Sequence, residues 1–229
     1  MVIGGIQKVS LVDYPGKTSA VLFTVGCNMR CGYCHNPGLV LPKRFGEPLG
    51  IDDVCGFLKQ RQGKLDAVVI SGGEPTVHDD LPELAGYIKE LGYLLKLDSN
   101  GANPDMLATM IDRRLVDYIA MDIKGPLSKY AAIVSRSVDT SAISRSIKLI
   151  LSSGLPHEFR TTIVKTQLLP EDFAEIGRMI KGAERYALQK FVPTKTLNPQ
   201  LALQQPYSDD EMERLKQIIQ EYVTTCVIH

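Results

Sequence analysis

Apolar residues in this chain gather in two kinds of run. Short runs rich in β-branched and aromatic residues read as six strands: SAVLFTV (19–25), DAVVIS (66–71), YLLKLDS (93–99), DYIAMDI (117–123), EFRTTIV (158–164) and LQKFVP (188–193). Between them apolar positions recur at helical spacing, as at Leu81, Leu84, Ala85, Ile88 and Leu91, at Ile143, Ile147, Ile150 and Leu151, and at Phe173, Ile176, Met179 and Ile180. Asn103-Pro104 reads as an N-cap followed by a first helical residue. Ser208 with Glu211 forms a capping box ahead of a last helix carrying Met212, Leu215, Ile219 and Tyr222. Strand and helix alternate, which is the pattern of βα units around a parallel sheet. Six units predict an α/β fold, an incomplete (β/α)6 barrel of parallel strands whose opening admits a large substrate, with 193–208 as a loop.

Length and charge narrow the partners. The 229 residues suffice for one large α/β domain or two small ones, and a single domain over 1–229 is expected. Lys plus Arg and Asp plus Glu both number 26, and no basic run stands out, which argues against nucleic acid. The start, MVIGGIQK, lacks the basic lead and apolar stretch of a signal peptide, and no apolar run approaches the roughly 20 residues of a membrane span. A soluble cytoplasmic protein without a membrane partner is expected. Five cysteines, an odd number, make a disulfide framework a poor reading and point to reduced thiols.

Three of those thiols, Cys27, Cys31 and Cys34, lie within CNMRCGYC, just after the first predicted strand. The other polar clusters have similar addresses: Gly72, Gly73 and Glu74 follow the second strand, Asp98, Ser99 and Asn100 end the third, and Asp122 with Lys124 ends the fourth. Carboxyl ends of parallel strands are where such folds build their sites. Thiolates are soft ligands, and Cys-x3-Cys-x2-Cys lets a short loop wrap one compact object. Three readings compete. A thioredoxin-like Cys31/Cys34 dithiol leaves Cys27 idle and predicts a chain about half this long. A zinc site with His35 as fourth ligand sets Cys34 and His35 side by side, closer than structural zinc ligands are spaced. A cubane [4Fe-4S] cluster held by three thiolates leaves one iron open to an outside ligand.

The motif CNMRCGYC resembles the Cys-x3-Cys-x-aromatic-Cys signature of radical S-adenosylmethionine (radical SAM) enzymes, and SGGEP (71–75) resembles their amino-group-binding segment. The segments SLVDYPGKTSAVLFTVGCNMRCGYCHNP, LDSNG, MDIKGP, EFRTTIV and LQKFVPTKTLNP are similar to the anaerobic ribonucleoside-triphosphate reductase activating proteins, relatives of the pyruvate formate-lyase activases. The resemblance implies a radical SAM type barrel. It also implies an enzyme that reductively cleaves S-adenosylmethionine on a [4Fe-4S] cluster and leaves a glycyl radical on a partner enzyme. A low-potential donor such as flavodoxin or ferredoxin would supply the electron. It further implies that Cys27, Cys31 and Cys34 ligate three irons and Tyr33 lies near the adenine. Gly72, Gly73 and Glu74 would then meet the amino group, and Asp98, Ser99 and Asn100 the ribose. Lys124, partnered by Asp122, would neutralise the methionine carboxylate, and Arg160 would contact ligand or partner. A monovalent cation near Asp98 and Asp122 is part of the same expectation. The alternatives are activation of another glycyl-radical enzyme, such as pyruvate formate-lyase, and small-molecule chemistry like that of 7-carboxy-7-deazaguanine synthase. His35 is expected to be structural, while Cys55 and Cys226, isolated among apolar residues, read as small core hydrophobes.

Overall fold

Two inner strands are made of residues that need burial on both faces. In Ser19–Thr24 five of six residues are buried, and in Ala67–Gly72 the first four are, as in a parallel sheet covered on both sides. The structure, a computed structural model, describes residues 1–194 and 196–229; Lys195, within the predicted loop 193–208, lies outside them. In chain order the elements are β1 (Ile3–Ser10), β2 (Ser19–Thr24), α1 (Pro37–Val40), α2 (Ile51–Gln60), β3 (Ala67–Gly72), α3 (Leu81–Glu90), β4 (Leu94–Ser99) and α4 (Pro104–Asp112). There follow β5 (Tyr118–Asp122), α5 (Tyr130–Val134), α6 (Thr140–Ser152), β6 (His157–Ile163), α7 (Pro170–Met179), β7 (Arg185–Lys190), α8 (Asp209–Ile219) and β8 (Thr225–Ile228).

The six predicted strands are β2 to β7, and two more flank them. The hydrogen-bonded order runs from β1 to β8 in chain order, and among the described residues no pairing joins β8 back to β1, so this sheet is open. β1 is antiparallel to β2, through Ile3↔Thr24, Gln7↔Val21 and Ser10↔Ser19, and adds one antiparallel strand to the expected parallel set. Its mixed burial pattern is that of an edge strand with one neighbour, so no clean alternation marked it in the sequence. β7 begins at Arg185, three residues before the predicted start, because Tyr186 and Ala187 already pair with Phe159 and Arg160. Within the predicted loop a short 3₁₀ turn forms at Pro199–Leu203, capped by the Asn198 side chain.

The chain divides into two compact units, the first made of 1–28, 38–99 and 105–119, the second of 29–37, 100–104 and 120–229. In the first, β2, β3 and β4 are parallel in the register Val21↔Val69↔Lys96. Tyr14, Val21, Ala67, Val69 and Tyr118 form a core cluster there, joined by Phe23 and Leu94. Leu81, Leu84, Ala85 and Ile88 of α3 are buried, as their spacing requires. In the second unit β6, β7 and β8 are parallel, and α7 packs on α8. The capping box of α8 is formed: Ser208 Oγ accepts from Glu211 N–H at 3.2 Å and Glu211 Oε2 from Ser208 N–H at 2.8 Å. Among the described residues no helix is long and apolar enough to cross a membrane.

Candidate active site

The first unit holds the approach to Cys27 by its backbone. Val25 N–H donates to Val2 O at 2.9 Å and Gly26 N–H to Leu39 O at 2.7 Å, while Thr24 O and Gly26 O accept from Gly73 N–H (2.9 Å) and Glu74 N–H (2.8 Å). The end of β3 is therefore stitched to the residues that lead into the cysteine loop. Both glycines are needed for that approach: Gly72 has φ +115° and a Cβ there would lie 2.3 Å from Thr24 N, while a Cβ on Gly73 would lie 2.0 Å from Gly26 O. His78 adds a further tie, donating from Nε2 to Val25 O at 2.9 Å. Burial lowers its pKa, partly offset by that hydrogen bond.

Glu74 is buried at 1 % exposure. Its Oε1 accepts from Thr76 N–H (3.1 Å), Thr76 Oγ1 (2.6 Å) and Ser99 Oγ (2.9 Å). The carboxylate thus caps the turn Pro75–Val77 and ties it to the end of β4. Beside it Asp98 Oδ2 accepts from Ser71 Oγ at 2.8 Å, and Asp98 Oδ1 faces Lys96 Nζ at 3.4 Å.

The second unit holds the other two cysteines. Arg30 N–H donates to Val134 O (2.8 Å), Asn198 N–H to Gly32 O (2.8 Å) and Cys34 N–H to Cys31 O (3.0 Å), so the loop is pinned at both ends and closed by a turn. All three motif cysteines are free thiols, Cys31 buried and Cys27 and Cys34 half-buried. Burial holds the Cys34 thiol above its ordinary pKa, with a backbone hydrogen bond from Asn36 opposing. Tyr33 is buried, its hydroxyl has no hydrogen-bond partner among the described residues, and Lys124 Nζ stands 5.9 Å from its ring centroid. His35 stacks on Phe191, the centroids 5.9 Å apart.

At the end of β5 one carboxylate serves two cations: Arg160 Nε donates to Asp122 Oδ1 at 2.9 Å and Lys124 Nζ to Oδ2 at 3.0 Å. Burial works to raise the Asp122 pKa, but the charges of Arg160 and Lys124 outweigh it and hold the carboxyl well below the usual range. Burial likewise works against the Lys124 ammonium, and Asp122 outweighs it, so that its pKa lies well above the ordinary value. Tyr130, fully buried, accepts from Lys124 N–H at 3.1 Å and donates to Asp122 O at 3.4 Å, which fixes the strand end. Asn100 Oδ1 is taken by Ala102 N–H at 3.0 Å, a local turn.

Gly72, Gly73, Glu74, Asp98, Ser99, Asn100, Asp122 and Lys124 thus lie at or next to a strand end, Cys27, Cys31, Tyr33 and Cys34 lie in the loop after β2, and Arg160 is mid-strand in β6. The first unit joins Glu74 to Ser99, and the second joins Tyr33, Asp122, Lys124 and Arg160. The sequence reading missed Lys96, His78 and Tyr130; only Lys96 left a signal, a lysine inside an apolar strand two residues before Asp98. Cys55 is half-buried in α2. Cys226 lies on β8, where burial pushes its thiol up to about 12. Among the described residues no three His, Cys, Asp or Glu gather as they would around a single metal ion. Three soft thiols on a pinned loop fit a multi-iron cluster, in which each thiolate meets its own iron.

The model of the radical SAM superfamily matches residues 21–181. The chain belongs to the radical SAM superfamily. Its cofactors are accordingly those of that superfamily, a [4Fe-4S] cluster and S-adenosylmethionine, and it is an enzyme. A Methanocaldococcus jannaschii protein that carries the provisional name of a glycyl-radical enzyme activating enzyme is 34% identical over 99% of this radical SAM chain and 95% of its own length. The pyruvate formate-lyase-activating enzyme of Clostridium pasteurianum is 26% identical over 85% of this chain and 82% of its own. The 7-carboxy-7-deazaguanine synthase of Neisseria meningitidis is 38% identical, but over 37% of each chain. Within the superfamily, then, this chain groups with the glycyl-radical enzyme activases. Among solved structures, SuiB of Streptococcus suis, bound to its precursor peptide SuiA, superposes with a TM-score of 0.67 at 16% identity. That match covers 91% of this chain and 48% of SuiB, so the chain spans about half of SuiB's length and the likeness is one of fold.

Proposed function

We propose that this radical SAM protein activates an anaerobic ribonucleoside-triphosphate reductase in the cytoplasm, placing a glycyl radical on it with an electron from a flavodoxin or ferredoxin. The observation that carries the activase reading is the 34% likeness over 99% of the chain to a relative named for activating glycyl-radical enzymes. The segment resemblance to reductase activators supports the choice of partner. Cys27, Cys31 and Cys34 would hold the cluster, leaving one iron for S-adenosylmethionine. When bound, cluster and cosubstrate together supply a one-electron reduction that yields a hydrogen-abstracting species.

The chain's own residues then have the following tasks. The backbone of Gly72 and Gly73 receives the amino group, and Glu74, already committed to Thr76 and Ser99, keeps that strand end in place. Asp98, Ser99 and Asn100 face the ribose. Lys124 meets the carboxylate while Asp122 and Tyr130 hold it. Tyr33 covers the adenine, and its buried hydroxyl is available for one more hydrogen bond. Arg160, tied to Asp122 and facing Glu158 Oε1 at 3.9 Å, contacts ligand or partner on this reading.

Anaerobic reconstitution, mixing with candidate glycyl-radical enzymes and electron paramagnetic resonance tests the reading. The expected result is a glycyl doublet on the reductase. A doublet on pyruvate formate-lyase instead would establish the second reading, which the Clostridium likeness favours. Conversion of a small molecule without any protein partner would overturn both.

A further inference from the structure

Lys96 breaks the apolar pattern of the first unit. It lies in the middle of β4, in the row Val21↔Val69↔Lys96, and is 3 % exposed. A buried ammonium must be paired. Its Nζ donates to Asp13 O at 2.6 Å and stands 5.6 Å from the centroid of the Tyr118 ring, and Tyr118 in turn packs on Tyr14. These contacts hold the ammonium from the amino-terminal side of the strand. Asp98, two residues on and so on the same face of β4, meets it at 3.4 Å through Oδ1.

A carboxylate at a strand end is a hard oxygen ligand and would attract a monovalent metal ion. Here the positive charge is already supplied by the chain. The same is true at the end of β5, where Asp122 is taken by Lys124 and Arg160.

We propose that Lys96 is a positioning residue whose ammonium serves as the resident counter-charge of Asp98, in the place a monovalent metal ion would take. Asp98 therefore holds its orientation toward bound ligand without sodium or potassium. The proposal rests on the reading that the end of β4 contacts S-adenosylmethionine. It adds that this contact is metal-independent.

The test is the affinity of the anaerobically reconstituted protein for labelled S-adenosylmethionine, by equilibrium dialysis in potassium, sodium and choline chloride at equal ionic strength. Wild type should bind within about twofold in all three, whereas Lys96→Met should weaken by roughly tenfold in choline and recover in part in potassium or sodium. Lys96→Arg should stay near wild type. In the cluster-free chain, potassium should raise the unfolding midpoint of Lys96→Met and leave wild type unmoved, a response a merely structural lysine would not give. Wild type that loses roughly tenfold in choline overturns the proposal, as does Lys96→Met that binds like wild type there. If Lys96→Met does not fold, the wild-type salt exchange decides by itself. Wild type that binds no S-adenosylmethionine in any salt overturns this proposal together with the ligand assignment, whereas binding only in metal salts overturns this one alone.

Discussion

Asp122 carries two cations on one carboxylate, and its loss removes that counter-charge from both, although Arg160 Nη1 still faces Glu158 Oε1 at 3.9 Å. With the carboxylate 30% exposed, Asp122→Asn should cost about 2 kcal/mol, nearer the charged-hydrogen-bond range than the full cost of breaking a buried pair. The sign of the pH dependence follows from the depressed pKa. Its contribution is present above the ordinary carboxylate range and is lost as pH falls below about 4. Urea unfolding of wild type and Asp122→Asn should differ at pH 7 and converge in acid; a constant difference would show that the two cations do not act through this charge. His78 has the same sign for a different reason. Burial lowers its pKa, so its contribution holds above about pH 6.5 and fades as the ring is forced to protonate. Removing it with His78→Asn should flatten the wild-type loss of stability measured between neutral and mildly acid pH.

The junction of β3 with the segment entering the cysteine loop is the most tightly specified contact between elements. Gly73→Ala would drive a methyl group to 2.0 Å from Gly26 O, so the backbone must separate, at about 3 kcal/mol and with the loss of the Glu74–Gly26 hydrogen bond. Circular dichroism melting and the iron content after reconstitution should both fall; a variant that loses neither would sink this role for the glycine. Ser208→Ala, by contrast, removes an exposed cap from α8 and should cost about 1 kcal/mol without touching iron content. These two positions also show what the sequence could tell. Ser208–Glu211 was readable because a capping box is a local code, and β2, β3 and β5 were readable because burial on both faces leaves nearly unbroken apolar runs. β1 and β8 left no such mark: β1 is an edge strand, and β8 is four residues of intermediate or greater exposure. GGE was recognised as a motif, but the sequence assigned its glycines to a ligand. Their approach to Thr24 and Gly26 joins positions some 47 residues apart, which local patterning does not encode. Tyr130 and His78 escaped for the same reason, since each acts on backbone atoms of another segment.

Neither compact unit is a continuous stretch of chain. The second takes Met29–Pro37 and Asn100–Pro104 from within the span of the first, and these short pieces are hydrogen-bonded to its other residues. Arg30 N–H satisfies Val134 O, Asn198 N–H satisfies Gly32 O, and the Ser146 hydroxyl, fully buried, donates to Gly101 O at 2.7 Å. A fragment of 120–229 would lose all three pairings and leave buried polar groups at Val134 and Ser146 unmatched, each costing about 1–3 kcal/mol. Folding the second unit therefore requires order in segments that lie by sequence within the span of the first, and a single cooperative domain over 1–229 is the expectation this sets up for test. The consequence can be measured directly. With nine tyrosines and no tryptophan, tyrosine fluorescence follows tertiary packing while far-ultraviolet circular dichroism follows the helices. Urea unfolding of the cluster-free chain should give one coincident transition by both probes, and two separated midpoints would mean that the interleaved segments do not bind the units into one cooperative fold.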